Sequence, residues 1–321
     1  MRKTVTVLGV TGSGKSTWIG ALTDGLYRGA VSRVKFDEEN WPDNTTGIDQ
    51  ARSYLQTGQF PIHTSEEMRT LVELPIRVSR GPNVHEAFTL KMSDYDGELI
   101  EKLFTDRTHG WDDAWSRRAR ADSFLILIRH DFTKCLRPLV RPGRKLRQDG
   151  MLSLSPDDLA APPLLNTSVP PAPLSSFDDP RYVPTSLALI ELLQWIRDAR
   201  GLSPIEQTPI AEPLRIGIVL TAWDAVDGRW RNSKPEEFLA VHHAILRDYL
   251  RCNFRDDEVR VFSLSATGGD LSDHQFRQRY LSATDPVSRV WWTNSRGDVV
   301  EDADLSIPLC WALFGESGIT P

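Results

Sequence analysis

Cysteine is nearly absent from this chain. Cys135, Cys252 and Cys310 are the only three, far apart and with no C-x-x-C or Cys/His ligand spacing. That excludes a disulfide framework and a structural zinc site, and fits a reducing compartment. Long apolar runs are absent too: the most apolar stretch, Phe124 to Ile128, is far too short to cross a bilayer. The N-terminal MRKTVTVLGV runs directly into a strand-like segment without the apolar core and cleavage site of a signal peptide. These features lead to the expectation of a cytoplasmic protein with no membrane span. Positive charge is not in excess: the net charge is −6 and the pI about 5.7. Nucleic acid or anionic membrane would therefore need a local patch, and nucleic acid is not the expected partner. There is no internal repeat. His242-His243 carries no metal reading, since adjacent helix residues do not face one site.

What is present suffices for a large core. Hydrophobic residues make up 40% and charged residues 26% of 321 positions, ordinary for a globular protein of one large or two small domains. Thr4 to Leu8 reads as a buried strand, and Lys15 to Arg28 as a helix with Trp18, Ile19, Leu22 and Leu26 at helical spacing. A short helix is expected around Ile48 to Leu55. Leu71 to Val78 and Ala87 to Met92 read as a hairpin about Gly81-Pro82-Asn83, followed by a helical stretch from Glu98 to Arg120. Further strands are expected at Phe124 to Ile128, Leu214 to Leu220 and Val259 to Leu264, the last closing the set as a sixth strand. Helices are expected at Leu187 to Ala199 and Pro235 to Leu250. This alternation predicts an α/β fold, a doubly wound and mostly parallel sheet, with ligands at the carboxyl ends of its strands.

Between the strand at Phe124 and the helix at Leu187 lies an insertion at about 131–185 that shows little periodicity. It is first basic (Lys134, Arg137, Arg141, Arg144, Lys145, Arg147) and then rich in proline, and reads as disordered or as a dock for a partner. The basic run is better taken as a solvated face than as a nucleic-acid site. Residues 1–267 are expected to form the nucleotide-binding domain, insertion included. Residues 268–321 are expected to form a C-terminal segment packed on it, with Trp291-Trp292 and Ile307 to Phe314 contributing core.

Gly9-Val10-Thr11-Gly12-Ser13-Gly14-Lys15-Ser16 matches G-x-x-x-x-G-K-[ST] in full, between a strand and a helix. Glycines allow backbone N–H groups to turn inward around phosphates, and the helix aims its positive end at the same anion. Lys15 supplies charge to the β- and γ-phosphates and Ser16 a hydroxyl to Mg²⁺. Gly9, Thr11, Gly12, Ser13, Gly14, Lys15, Ser16 and Thr17 are thus the expected phosphate-binding residues. Asp94-Tyr95-Asp96-Gly97 reads D-x-x-G, with Asp94 placed to hold Mg²⁺ and Gly97 to meet the γ-phosphate. Thr221-Ala222-Trp223-Asp224 leaves another strand end, where a carboxylate can accept from N1–H and the 2-amino group of guanine, a donor pair that adenine lacks. Ser265-Ala266-Thr267 leaves the next, where a backbone N–H can donate to guanine O6.

In this order the segments resemble the TRAFAC class of P-loop GTPases, whose motifs run P-loop, switch I threonine, D-x-x-G, N-K-x-D and S-A-K. The resemblance covers Lys3 to about Thr267 and implies GTP/GDP and Mg²⁺ as cofactors, with slow GTP hydrolysis driving a molecular switch. A long switch I, a Gly-x-x-Pro-x-x-Thr segment at Gly58 to Thr64 and T-x-x-D are also similar to bacterial double-GTPase-like proteins of conflict and defence systems. The departures are specific. Thr221 and Ala222 replace Asn and Lys, and Thr267 replaces the lysine of S-A-K. Trp223 is expected beside the base together with Thr221, Asp224, Ser265 and Ala266. Thr64 is the first choice for the switch I ligand of Mg²⁺ and γ-phosphate, with Thr45 and Thr46 as alternatives. Glu98 takes the place at which a Ras-like glutamine orients the attacking water. Arg117, Arg118, Arg120 and Arg129 are possible arginine fingers, better read as solvated. The resemblance implies a protein partner acting through the switches or the Pro-rich insertion. Two other classes stay open: a non-hydrolysing nucleotide-binding scaffold, and an ATP-dependent kinase or transferase.

Overall fold

The computed structural model describes residues 2–42, 44–61, 71–79, 85–93, 100, 118–131, 184–201 and 213–319. Its strands are β1 (Lys3–Leu8), β2 (Val34–Phe36), β3 (Leu71–Ser79), β4 (His85–Ser93), β5 (Ser123–Arg129), β6 (Arg215–Thr221), β7 (Val259–Ser265), β8 (Arg289–Thr293) and β9 (Val299–Asp302). The helices are α1 (Lys15–Arg28), α2 (Thr46–Gln56), α3 (Thr185–Ala199), α4 (Pro235–His242), α5 (Ala244–Asn253), α6 (His274–Ser282) and α7 (Ile307–Phe314). Among the described residues the strands form one nine-stranded sheet in the order β2-β3-β4-β1-β5-β6-β7-β8-β9. Pairing is parallel from β4 through β1, β5 and β6 to β7, and antiparallel outside that block.

The central strands bury both faces, and their alternation distributes side chains between two cores. On β5, Leu125 and Leu127 face one core while Phe124, Ile126 and Ile128 face the other. α1, α2 and α7 cover the first face; α3, α4 and α5 cover the second. Apolar on every side, α7 is buried from Ile307 to Leu313 and packs on β1, β5 and β6. Gly217 on β6 permits this approach, since a Cβ there would sit 2.6 Å from Leu125 Cδ2 and 3.7 Å from Trp311. The architecture is thus the doubly wound, mostly parallel α/β fold, with the β3–β4 pairing of the expected hairpin.

Two expectations are corrected. β7 is not the last strand: β8 and β9, which contain Trp291-Trp292, extend the sheet, and β2 adds an edge on the far side. These three are short and half-exposed, so no continuous apolar run marked them. The hairpin turn between β8 and β9 is set by Asn294, whose Oδ1 accepts from the N–H groups of Arg296 and Asp298, and by Gly297 at φ 86. The stretch from Pro235 to Leu250 is not one helix either. It breaks at His243 (φ −133, ψ 44), whose ring turns inward to 1% exposure and meets Ser186 Oγ of α3 through Nδ1 at 3.0 Å.

That inward turn has a pH consequence. Burial, with a smaller contribution from neighbouring His242, lowers the His243 pKa from 6.5 to about 4. The unfolded chain takes up this proton below its ordinary value while the fold resists it, so stability is lost as pH falls from about 6.5 towards about 4. Urea unfolding at about pH 5 should show a loss of about 2 kcal/mol relative to neutral pH from this group. His243→Gln should flatten that slope; an unchanged slope would remove His243 as its origin.

Candidate functional site

The parallel strands β1, β5, β6 and β7 end at one edge of the sheet, and the loops leaving them are brought together there. The loop after β1 is the P-loop. Gly12 (φ 77) and Gly14 (φ 87) occupy the left-handed region, and Gly14 is the N-cap of α1. A Cβ on Gly9 would come 2.4 Å from Ser13 Oγ and 2.7 Å from the Leu127 carbonyl, so only glycine fits between loop and sheet. Ser13 is 1% exposed, its N–H donates to Val10 O at 3.1 Å, and its hydroxyl has no hydrogen-bond partner among the described residues. Lys15 is 5% exposed and donates from Nζ to the carbonyls of Gly9 (2.8 Å) and Val10 (3.3 Å). Its ammonium is thereby held at the mouth of the loop. Thr11, Ser16 and Thr17 are half-buried, the latter two in the first turn of α1. The cradle of N–H groups, helix terminus and ammonium suits a polyphosphate.

The loop after β6 begins with Thr221, 3% exposed, whose Oγ1 donates to Ser13 O at 2.8 Å. Thr221 therefore ties the P-loop to β6. Its own carbonyl accepts from the His130 N–H at 3.2 Å, which brings in the end of β5. Ala222 then takes a left-handed conformation (φ 55) that turns the chain into a single 3₁₀ turn, Trp223–Ala225. That turn separates Trp223 from Asp224. The Trp223 ring is 1% exposed and lies edge-on to Phe238, 5.1 Å between centroids. Expected beside the base, it is instead a core residue anchoring the turn. The Asp224 carboxylate is half-buried, and its Oδ1 accepts from Ser265 Oγ of β7. Ser265 Oγ accepts in turn from the Gly268 N–H at 2.9 Å. Ala266 is half-buried between these two anchored positions, and Thr267 Oγ1 donates to Gly269 O at 2.8 Å. The result is a carboxylate with Oδ1 held and Oδ2 without a hydrogen bond among the described residues, beside a loop N–H segment.

Thr64, Asp94, Gly97 and Glu98 lie outside the described residues, as do Arg117, most of the 131–185 insertion and the hairpin turn at Gly81-Pro82-Asn83. The alternative threonines serve the start of α2: Thr45 Oγ1 donates to Asp49, and Thr46 N–H donates to Asn44 Oδ1 at 3.1 Å. Arg118 is 8% exposed, Arg120 is exposed, and Arg129 Nε pairs with Asp131 at 2.9 Å. Among the described residues no cluster of three His, Cys, Asp or Glu could hold a metal ion, and no helix is long and apolar enough to cross a membrane. Sequence reading missed the Thr221–Ser13 tie and the turning inward of Trp223. It also missed Arg231, whose Nη2 donates to the Asp224 backbone carbonyl at 3.3 Å. No spacing rule marks an arginine in that position.

No curated protein matches the chain. Among solved structures it is similar to the Ski7 GTPase-like domain of S. cerevisiae bound to GTP, at 12% identity and a TM-score of 0.40 over 84% of this chain and 44% of that one. The match thus spans less than half of the Ski7 chain's length. It is also similar to the signal recognition particle receptor SRb-GTP/SRX complex of Chaetomium thermophilum, at 15% identity and a TM-score of 0.34 over 87% and 98% of the two chains. A third is the G domain of the T. maritima FeoB iron transporter, at 10% identity and a TM-score of 0.24 over 87% and 99%. The family described as Double-GTPase 1 matches residues 6–312, nearly the whole chain and all the loops described above. With its P-loop, its anchored Asp224 and this match over residues 6–312, the chain belongs to the Double-GTPase 1 family.

Proposed function

We propose that the protein binds GTP and GDP with Mg²⁺, hydrolyses GTP slowly, and signals its nucleotide state to a protein partner. Membership of a GTPase family supports the guanine nucleotide. The observation that carries the reading is the join between the two halves of the site. Thr221 Oγ1 binds the P-loop at Ser13 O, and three residues later Asp224 is presented on Ser265 Oγ. The phosphate cradle and the carboxylate proposed to read the base are thereby both tied to the end of β6. Adenine has no donor pair for Asp224, whereas guanine has N1–H and the 2-amino group.

In this proposal Ser16 ligates Mg²⁺ together with Asp94 and Thr64, and Gly97 meets the γ-phosphate. Glu98 orients the attacking water. A carboxylate at that position accepts a hydrogen bond from water but adds negative charge near the γ-phosphate, which favours slow turnover unless a partner assists. The switch segments and the insertion at 131–185 are the proposed contact regions for that partner. A place in conflict or defence systems belongs to the same proposal.

The test is a titration of the purified protein with fluorescent GDP in the presence of Mg²⁺, followed by competition with ATP. Guanine nucleotides should win, and Asp224→Asn should weaken GDP by roughly a hundredfold by removing a charged acceptor from two donors. Equal displacement by ATP and GTP would instead point to an ATP-using enzyme.

A further inference from the structure

A purine base read at one edge by Asp224 still exposes its two faces, and binding needs at least one of them covered by a flat or apolar group. The Thr221–Asp224 loop does not provide it. Ala222 offers only a methyl group, and the Trp223 ring is turned into the core against Phe238.

The chain beyond Asp224 turns so that one later side chain, Arg231, comes back to the Asp224 backbone. Val226, 4% exposed, pins the end of the 3₁₀ turn. The Trp230 N–H then donates to Asp227 O at 2.8 Å, and the Trp230 ring lies edge-on to Phe238 and to His242, 5.4 Å from each. The Trp230 carbonyl accepts from Ser233 N–H at 3.0 Å and from Ser233 Oγ at 2.8 Å. Between these anchors the two neighbouring arginines diverge. Arg229 stays with its own loop, donating its N–H to Asp227 Oδ1 at 3.0 Å and lying 5.5 Å from the Trp230 ring centre. Arg231 returns to Asp224, donating from Nη2 to its backbone carbonyl at 3.3 Å. The Arg231 side chain is exposed, and this is its one hydrogen bond among the described residues. A guanidinium in that place is planar, permanently charged and weakly hydrated, and it packs readily on an aromatic face.

We propose that Arg231 lays its guanidinium on the face of the guanine base that Ala222 leaves uncovered, and so determines nucleotide affinity. The proposal rests on the guanine-nucleotide reading above. Arg231 then acts on the ring system and not on its exocyclic groups, whereas Asp224 acts on the edge that distinguishes guanine from adenine.

Arg231→Ala and Arg231→Lys are compared with the unaltered protein for fluorescent GDP and for inorganic tripolyphosphate, which has no base. Arg231→Ala should weaken GDP by roughly five- to tenfold, mainly through faster dissociation, and leave tripolyphosphate affinity unchanged. Arg231→Lys, which keeps the charge and a donor for Asp224 O but lacks the plane, should lose a smaller part of the same affinity. It also serves as the decisive variant if Arg231→Ala does not fold. GDP affinity within twofold of the unaltered protein in a folded variant, or an equal loss for tripolyphosphate, overturns the proposal. ATP competing as well as GTP on the unaltered protein would remove the guanine reading. The comparison of Arg231 variants, repeated with ATP, would still report on the stack.

Discussion

Lys15→Ala is expected to abolish nucleotide binding, lowering GDP affinity by at least about a hundredfold. Lys15 is 5% exposed and its ammonium is held by the carbonyls of Gly9 and Val10, so it sits inside the phosphate loop before any ligand arrives. No other lysine or arginine belongs to the P-loop sequence from Gly9 to Thr17, and within that loop the remaining attraction would come from backbone N–H groups and the start of α1. The fold should survive the change. The helix is anchored elsewhere, by Trp18, Ile19 and Leu22 in the core and by a hydrogen bond from Trp18 Nε1 to Leu305 O at 3.2 Å. Fluorescent GDP titration and thermal melting read the two effects separately. Full affinity in a folded Lys15→Ala protein would mean that the phosphates bind somewhere else.

Asp304→Ala should be among the most destabilising single changes, costing about 3 kcal/mol. Asp304 is 4% exposed, and its carboxylate accepts five hydrogen bonds from two distant parts of the chain. Oδ2 takes the N–H and hydroxyl of Ser32 (3.0 and 3.1 Å) and the N–H of Arg33 (3.2 Å); Oδ1 takes the N–H and hydroxyl of Ser306 (2.9 and 2.6 Å). Alanine would leave the two buried donors of Ser306 without an acceptor and release the exposed Ser32 and half-buried Arg33 at the junction between the α1–β2 connection and the start of α7. Asp304→Asn should cost less, because one of its two faces still accepts. A drop in the urea midpoint with an unchanged slope is the expected signature. A loss under about 1 kcal/mol would show that water replaces the carboxylate at this junction.

The elements that could be read from the chain were those whose signal is contiguous. α1 begins and ends where its spacing and flanking glycines place it, at Lys15 and Arg28. β1, β5, β6 and β7 appear within a residue or two of the ranges their apolar residues marked; β5 and β6 are apolar over nearly their whole length, while β1 and β7 also bury the hydroxyls of Thr6 and Ser263. β2, β8 and β9 escaped because they are short, half-exposed strands stabilised by their partners. The break at His243 escaped because helical spacing continues across it, while the partner its ring meets, Ser186, lies on another helix.

The candidate site divides the same way. By itself the sequence determined the phosphate end, where glycines, lysine and serine follow one another and the geometry they impose is local. It also determined the order of the segments that leave β6 and β7, and with it the family. Only the tertiary structure decided what each residue of those segments does. Thr221 serves the P-loop, Trp223 serves the core, and Asp224 is presented by Ser265, forty-one positions further on. The physical reason is that a hydrogen bond between strand ends depends on the register of β6 against β7 and of β5 against β6. Register comes from the packing of two whole faces of the sheet, which no short stretch of residues carries.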